Sequence, residues 1–260
     1  MTLSRLVKGT LHRVGLDVRL VRNVAGAERK DWAEKWGQQW LFLRNYDIRT
    51  IIDVGANTGQ FARMIRGVLP EARIYSFEPI RECFLELDRD LGGTPALRAF
   101  NLALGESDGE VEILRNAFTP CSSMLEPTSL LEREYPDSAR RERVKVAMAR
   151  LDTVLSDLDL GPEVLVKIDV EGYEPQVIRG AEASLSRALF VSIEIHFREY
   201  YKGQPLFDHI YRMMTERGFV YRGSAGQYAS PVDHRPSYMD AIFENERLGG
   251  DTSVSRQHNS

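Results

Sequence analysis

Residues 50–67 read TIIDVGANTGQFARMIRG and join a short apolar strand, a turn of small residues and an amphipathic helix. Thr50–Val54 has the length and aliphatic content of a buried strand, and apolar residues from Gln60 onward recur at helical spacing. The turn between them has the form G-x-x-x-G and begins at Gly55, two residues after Asp53. Turns this tight commonly let the backbone approach a ligand, so the stretch predicts a binding site at the end of the first strand.

Strand and helix patterns continue to alternate after this stretch. Such alternation predicts an α/β fold in which right-handed crossovers connect the strands of a largely parallel sheet. The first helix is expected to span Gln60–Leu69. Further strands are predicted at Ala72–Phe77, Ala96–Leu102, Val164–Asp169, Leu189–Ile195, Phe219–Gly223 and Met239–Glu244, further helices at Arg81–Leu91, Pro175–Arg187 and Leu206–Arg217, and extended segments at Glu110–Leu114 and Val144–Ala149.

Composition divides the chain into three regions. Residues 1–45 are predicted to form an N-terminal helical extension, residues 46–247 a single domain, and residues 248–260 a disordered tail with few apolar residues. Within the domain, residues 116–148 include a long polar segment with several prolines. A segment of this length inside a compact domain is a candidate lid or insert over a site.

The N-terminal extension carries two patterns. Residues 1–30 hold seven Lys and Arg residues against two acidic ones, with apolar residues between them at helical spacing. This pattern favours either an interfacial helix on an anionic membrane surface or a short docking helix. Trp32, Trp36 and Trp40 lie four residues apart, which predicts one helical face packed on the sheet or on the rim of its pocket.

Composition also excludes several classes of function. No apolar run approaches the ~18 residues of a membrane span, and the first residues lack the pattern of a secretory signal. The formal net charge of −4 argues against a nucleic-acid partner, because proteins that bind nucleic acids typically carry a basic stripe. Cys83 and Cys121 do not form a metal-type pair, so a reduced, cytoplasmic setting is predicted. Peripheral membrane contact through residues 1–30 and a homodimer are left open.

The turn at Gly55 indicates the class of ligand. Dinucleotide-binding turns read G-x-G-x-x-G and place a pyrophosphate at a helix N-terminus, whereas this turn lacks the middle glycine. Asp53 before the turn would repel a diphosphate and attract a cation. Glu78 ends the second predicted strand, where a carboxylate can accept two hydrogen bonds from a ribose diol. A nucleoside joined to a positively charged group without phosphate satisfies both residues, and S-adenosylmethionine is such a molecule.

The order of elements agrees with this ligand. It predicts a Rossmann-like, seven-stranded class I methyltransferase sheet, mostly parallel with an antiparallel last strand and with helices on both faces. A nicotinamide-dependent sugar oxidoreductase is an alternative, against which the missing G-x-G-x-x-G argues. A binding module that kept this fold without catalysis is a third possibility.

Several motifs resemble those of one family. They are DVGANTG at 53–59, SFEP at 76–79, NLALGE at 101–106, the serine pair at 122–123, RLDTVL at 150–155 and VKIDVEGYEPQVIRGAE at 166–182. Together they resemble the FkbM family of S-adenosylmethionine-dependent methyltransferases over roughly residues 50–195. The resemblance implies O-methylation of a hydroxyl on a saccharide, glycolipid or related natural product, with an amine or a carboxylate as alternative acceptors. The candidate cofactor-binding residues are Asp53, Gly55, Ala56, Asn57, Gly59, Glu78, Asn101, Ala103, Ser123 and Asp169.

The candidate catalytic residues follow the fourth and fifth predicted strands of the main sheet. Strand alternation would place Lys167, Asp169 and Glu171 on one face, and the next strand ends with Glu194 and His196. We expect Asp169 to face the methionyl end of the cofactor or the substrate. Either His196 or Glu171 is then expected to be the general base that takes the proton of the acceptor hydroxyl.

Structural roles compete with these assignments. Lys167 inside a strand requires an ion pair, for which Glu194 is the nearest expected partner. Glu171 and Glu174 are expected to begin a helix, where the helix dipole alone favours acidic residues. A divalent cation such as Mg²⁺ is a further option that no spacing demands, with Asp169, Glu194 and His196 as its predicted ligands and Glu171 close by.

Overall fold

The computed structural model describes residues 37–93, 96–156, 158 and 160–249. The basic segment 1–30, Trp32, Trp36 and nearly all of the predicted tail at 248–260 lie outside these residues. No helix in this part of the chain is both long enough and apolar enough to cross a membrane.

The described residues form ten strands in two sheets. The strands are β1 (Thr50–Val54), β2 (Arg73–Phe77), β3 (Leu97–Phe100), β4 (Ala103–Leu104), β5 (Gly109–Asn116), β6 (Arg141–Ala149), β7 (Val164–Ile168), β8 (Ala188–His196), β9 (Phe219–Ala229) and β10 (Pro236–Asn245). The main sheet has the order β3-β2-β1-β7-β8-β10-β9. Its pairs are parallel from β3 to β8, and β10 is antiparallel to both β8 and β9. The predicted seven-stranded sheet with an antiparallel last strand is confirmed.

Helices connect these strands. They are α1 (Gln60–Val68), α2 (Arg81–Leu91), α3 (Ser129–Glu134), α4 (Leu151–Leu155), α5 (Glu174–Arg179), α6 (Glu182–Ser186), α7 (Phe207–Glu216) and α8 (Glu246–Gly249), with 3₁₀ helices at Gln38–Asn45, Thr119–Cys121 and Pro136–Ala139. Side chains of the central strands alternate between two cores. Ile52 and Val166 face the core built with α4 to α7, whereas Ile51 and Leu165 face the core built with α1 and the first 3₁₀ helix. The predicted helices on both faces are confirmed.

Trp40 packs on the second of these cores. Its side chain is buried, and its ring meets Phe61 of α1 edge-on with centroids 5.2 Å apart. Trp40 also lines the cavity described below. The expectation that this tryptophan packs against the sheet and the rim of a pocket is met, although it lies in a 3₁₀ helix.

The second sheet is small and has the order β4-β6-β5. Its β5–β6 pair is antiparallel and frames most of the segment predicted as a lid, residues 116–148. That segment contains two 3₁₀ helices, α3 and most of β6, so the expected long polar loop has regular structure. The predicted third strand Ala96–Leu102 is shorter than expected, because the chain leaves the main sheet after Phe100 and begins β4 at Ala103.

The predicted helix Pro175–Arg187 is divided into α5 and α6. Gly180 separates the two because it packs so closely on the carbonyl of Gly105 that a Cβ would lie 1.8 Å from that oxygen. The Asp152 carboxylate then accepts the backbone N–H groups of two residues in the first turn of α6, at 3.0 and 2.8 Å. Both contacts join segments far apart in sequence, so the local pattern could not show the break.

Candidate active site

A cavity of about 380 Å³ opens at the carboxyl ends of β2, β1, β7 and β8 and reaches β10. It lies on the α1 face of the main sheet, with Trp40 and Phe61 among its lining residues and the 3₁₀ helix Thr119–Cys121 on another side. Its volume falls in the ~300–1,000 Å³ range of small-molecule sites. The strand order reverses between β1 and β7, which is where open α/β sheets bind their ligands.

The glycines of the β1–α1 turn are required by packing. Gly55 has φ +79°, and a Cβ there would lie 1.7 Å from the Asp169 carbonyl oxygen at the end of β7. Gly59 has φ +88°, and a Cβ there would lie 2.6 Å from a methyl group of Leu87 in α2. The expectation that the tight turn lets a ligand approach stays a prediction. Its glycines also fit the turn between β7 and α2, and Gly55 but not Gly59 is among the described cavity-lining residues.

Glu78 is fixed at the β2 end of the cavity. Its carboxylate accepts backbone N–H groups from Asn57 and Ile80, both at 2.8 Å. Burial raises the pKa of Glu78 to about 7. Asn101 supports this loop from behind, since its side-chain amide donates to the carbonyls of Glu78 and Pro79 at 2.9 Å. Two lone-pair directions of the carboxylate stay available for hydroxyl donors from a ligand.

Asp53 lies beneath the cavity, outside its described lining. It is fully buried and accepts a hydrogen bond from Ser76 at 3.3 Å. Burial raises the pKa of Asp53 to about 6. In the β1–β7 register it stands opposite Lys167, and its carboxylate helps to keep that lysine charged.

Lys167 pairs with Asp169 at 2.7 Å, which corrects the expected pairing with Glu194. Alternation places residues 167 and 169 on one face, so Asp169 supplies a carboxylate within reach, whereas Lys167 stands opposite Ser192 and not Glu194 in the β7–β8 register. Burial by itself would lower the pKa of Lys167, but the carboxylates of Asp169 and Asp53 raise it above its ordinary value. A stable lysine cation therefore neutralises Asp169.

Two carboxyl groups and an imidazole meet at the β7–β8 end of the cavity, and we call them the acid–imidazole cluster (Glu171, Glu194 and His196). The Nε2 atom of His196 lies 3.6 Å from a Glu194 oxygen and 3.9 Å from a Glu171 oxygen. One potential ligand atom from each residue lies within 4.8 Å of the others. The group includes Glu171 in place of Asp169, the ligand predicted from sequence, because Asp169 is paired with Lys167.

The position of Glu171 differs from the prediction. It lies in the turn after β7 with φ +52° and does not begin a helix. Glu174 is the first residue of α5, and its carboxylate accepts the N–H groups of Val170 and Gly172 at 3.2 and 3.0 Å. Glu174 therefore shapes this turn, and Glu171 is the residue whose carboxylate reaches the cavity.

Burial controls the charges of the cluster. Burial, and after it the neighbouring Asp169 carboxylate, raise the pKa values of Glu171 and Glu194 well above the ordinary value. Burial lowers the pKa of His196 to about 4. His196 is thus neutral at physiological pH, and a neutral imidazole has one ring nitrogen that can accept a proton or bind a metal.

The 3₁₀ helix and the residues after it are tied to this end of the cavity. Ser123 donates from its hydroxyl to the Glu171 carbonyl at 2.6 Å, and the Tyr201 hydroxyl donates to the Cys121 carbonyl at 3.1 Å. The candidate lid therefore forms a hydrogen-bonded wall beside the acid–imidazole cluster.

The structure brings together most of the residues named from sequence. Asp53, Gly59 and Asn101 are absent from the described cavity lining. The predicted residues that do line it are Gly55, Ala56, Asn57, Glu78, Ala103, Ser123, Asp169, Glu171, Glu194 and His196.

Sequence reasoning missed three cavity residues near the last strand, Tyr228, Tyr238 and Asp240. Tyr238 stands opposite His196, and Asp240 opposite Glu194, in the antiparallel β8–β10 register. The two-residue spacing of Tyr238 and Asp240 indicates that they share a face of β10. Only the register, which the sequence does not reveal, places that face on the cavity.

Known proteins share sequence with the chain. A profile of the methyltransferase FkbM domain matches residues 53–221, from β1 into β9. The 2-O-methyltransferase NoeI of Sinorhizobium fredii is 26% identical over 211 residues, which cover 78% of this chain and 86% of NoeI. Methyltransferase sdnD of Sordaria araneosa is 30% identical over 156 residues, which cover 51% of this chain and 60% of sdnD. The crystal structure of precorrin-6y C5,15-methyltransferase from Geobacter metallireducens is 11% identical with a TM-score of 0.45, covering 82% of this chain and 86% of that one.

The FkbM match spans more than half of the chain and includes β1, β2, β7 and β8, whose carboxyl ends form the cavity. Methyl transfer involves no hydride transfer and therefore no nicotinamide cofactor, so the oxidoreductase alternative is rejected. The chain belongs to the FkbM family of S-adenosylmethionine-dependent methyltransferases.

Proposed function

We propose that this methyltransferase acts on oxygen and transfers its methyl group to a hydroxyl of a saccharide, glycolipid or related natural product. One observation carries the proposal: a neutral imidazole, His196, lies beside the carboxyl groups of Glu171 and Glu194 at the cavity end next to β8. Such a group can accept a hydroxyl proton. The name of the relative NoeI, a 2-O-methyltransferase, supports oxygen as the acceptor atom.

The residues of the cavity fit S-adenosylmethionine. Glu78 would hold the ribose hydroxyls, because its anchored carboxylate keeps acceptor positions free at the β2 end. Ala56 and Asn57 would lie against the nucleoside from the β1–α1 turn. Carboxyl oxygens of Asp169, Glu171 and Glu194 line the rest of the cavity, and such electron-rich atoms suit a sulfonium cation even where a lysine or a proton balances their charge. The cofactor supplies a methyl group on a good leaving group.

The chain's own residues would orient the acceptor and take its proton. As the new O–C bond forms and the C–S bond breaks, Nε2 of His196 accepts the proton of the hydroxyl. A low pKa does not disqualify this imidazole, because a protonated ether oxygen is a far stronger acid than an imidazolium. The oxygens of Glu171 and Glu194, 3.9 and 3.6 Å from Nε2, would stabilise the imidazolium when either carboxyl group is ionised.

A second mode of hydroxyl activation is open to the same residues. Two carboxylates and an imidazole with ligand atoms within 4.8 Å of one another can hold a divalent cation, which lowers the pKa of a bound hydroxyl. In that mode His196 would bind the cation and could not serve as the base through the same nitrogen. Amine and carboxylate acceptors also remain alternatives for the family's chemistry.

Product analysis tests the proposed reaction. The protein is incubated with isotope-labelled S-adenosylmethionine and, in separate reactions, with neutral oligosaccharides, a glycolipid extract, amines and carboxylic acids. The position of the label in each product is identified by mass spectrometry. We expect the label on a hydroxyl oxygen. His196→Asn should lower kcat by about 10²–10⁴ fold while S-adenosylhomocysteine still binds, since it removes proton transfer and leaves the cofactor residues in place.

His209→Asn is the matched control, because His209 is exposed on α7 away from the cavity lining. It should keep the wild-type rate. Label found on nitrogen or on a carboxylate would overturn O-methylation. A His196→Asn rate within threefold of wild type would remove His196 as the base.

A further inference from the structure

We propose that the β9–β10 hairpin carries the acceptor subsite, in which the stacked pair Tyr228 and Tyr238 forms an apolar wall for a sugar ring while Asp240 and Glu194 select neutral or amino-bearing sugars over anionic ones. This subsite rests on the proposed function, since it assigns the acceptor of that same reaction. β10 follows the family-matched part of the chain, so the subsite residues other than Glu194 belong to a region that the shared motifs do not define.

The hairpin lies at the end of the cavity away from Glu78. In the sheet order, β10 stands four strands from β2, which is on the order of 19 Å at the usual strand spacing. A nucleoside held at Glu78 and a methyl donor at the β1–β7 switch point leave the β8–β10 end for the second substrate. Tyr238 is directly opposite His196 in register, and their rings lie 5.4 Å apart. A sugar ring against the cavity-facing edge of Tyr238 therefore has its hydroxyls beside the imidazole.

The aromatic surface is held in place by its neighbours. The rings of Tyr228 and Tyr238 stack with centroids 4.6 Å apart and an interplanar angle of 22°. The Tyr228 hydroxyl donates to Asp240 at 3.1 Å. The edges of the two stacked rings give a rigid apolar contact at low cost in side-chain entropy, and the apolar C–H face of a pyranose is a matching partner.

The charges beside this surface set the preference for neutral or amino-bearing acceptors. Glu194 and Asp240 are cross-strand neighbours on one face, an arrangement in which two ionised carboxylates repel each other. Lys167 is the only Lys or Arg among the described residues that line the cavity, and it is already paired with Asp169. Hydroxyl donors or an ammonium group relieve the repulsion, whereas a carboxylate or phosphate on the acceptor would add to it.

The test uses the full chain, S-adenosylhomocysteine or labelled S-adenosylmethionine, and three probes: methyl glucoside, methyl glucosaminide and methyl glucuronide. Tyr238→Ala should raise the acceptor KM at least tenfold with kcat changed less than threefold, and should leave S-adenosylhomocysteine binding at wild-type strength. Tyr238→Phe should keep the wild-type KM, because the apolar contact needs no hydroxyl. Asp240→Asn should lower the ratio of kcat/KM for the glucoside to kcat/KM for the glucuronide by at least fivefold.

Tyr211→Ala is the matched control, because Tyr211 is an exposed tyrosine on α7. If the wild-type protein methylates no glycoside yet binds S-adenosylhomocysteine, the saccharide acceptor and the subsite both fall. If it methylates glycosides but Tyr238→Ala keeps the wild-type KM, or the glucuronide is the best acceptor, the subsite alone is overturned.

Discussion

Replacement of Gly55 by alanine tests whether the β1–α1 turn and the β7 end are packed as the structure shows. The turn cannot relax easily, because Gly55 and Ala56 both donate to the Phe77 carbonyl at 3.0 Å and Asp169 N–H donates to Val54 at 3.0 Å. A Cβ on residue 55 would lie 1.7 Å from the Asp169 carbonyl oxygen, about half of an ordinary contact distance. Backbone on one side must therefore move by more than about 1 Å.

The magnitude follows from two costs. Holding alanine in the left-handed region costs about 1–2 kcal/mol, and overpacking a rigid contact costs about 1–3 kcal/mol. A total near 3 kcal/mol corresponds to a fall in Tm of roughly 6–12 °C for a domain of this size. Because Asp169 lies at the reacting end of the cavity, a displacement of about 1 Å there should also lower kcat by roughly 100-fold.

Thermal unfolding and methyl-transfer rates of Gly55→Ala and Gly67→Ala measure both effects. Gly67 is the matched control, because it lies in α1 with open space around its Cα. Alanine at this helical position should raise the free energy of unfolding by about 0.5–1 kcal/mol and leave the rate unchanged. A Gly55→Ala protein that melts within 1 °C of wild type and retains full activity would refute the packing argument.

Three further predictions concern charge. Lys167→Met should lower the free energy of unfolding by about 3–5 kcal/mol in denaturant titrations, because it leaves Asp169 without its partner. The control Arg212→Met removes one member of an exposed ion pair and should lower it by under about 1 kcal/mol. Equal losses for the two variants would contradict this prediction. Burial raises the pKa of Glu78 from 4.5 to about 7, so the folded state holds a proton that the unfolded chain releases between these values. The ligand-free Tm should therefore fall between pH 5 and pH 8 while S-adenosylhomocysteine binds more tightly, and a Tm that rises over this range would contradict the argument. If the imidazole is the base, EDTA should leave the rate within twofold; a loss that Mg²⁺ or Mn²⁺ restores would assign the acid–imidazole cluster to a cation.

Local patterns predicted the elements that depend on local chemistry. The bounds of β1 and α2 agree with the sequence pattern, because each has a clear period and is bounded by turn residues. The residues at strand ends, including Glu78 and His196, were placed at the cavity because parallel strands present their carboxyl ends to one edge. Periodicity and topology together were sufficient for this part of the site.

Contacts between distant segments could not be predicted in this way. The break at Gly180 depends on its approach to Gly105. Tyr238 faces His196 only because of the register between β8 and β10. A shift of that register by one residue would turn Tyr238 to the other face, and no local pattern fixes it.

The hydrogen-bonded wall beside the acid–imidazole cluster bears on which step of turnover is rate-limiting. Moving that wall aside would break the Ser123–Glu171 and Tyr201–Cys121 hydrogen bonds, at a net cost of about 1 kcal/mol each. The same movement would break the backbone hydrogen bonds Thr128–Tyr200 and Lys202–Glu126, so the opened form would account for on the order of 0.1% of molecules. If S-adenosylhomocysteine leaves by that route, its release rather than methyl transfer would limit kcat.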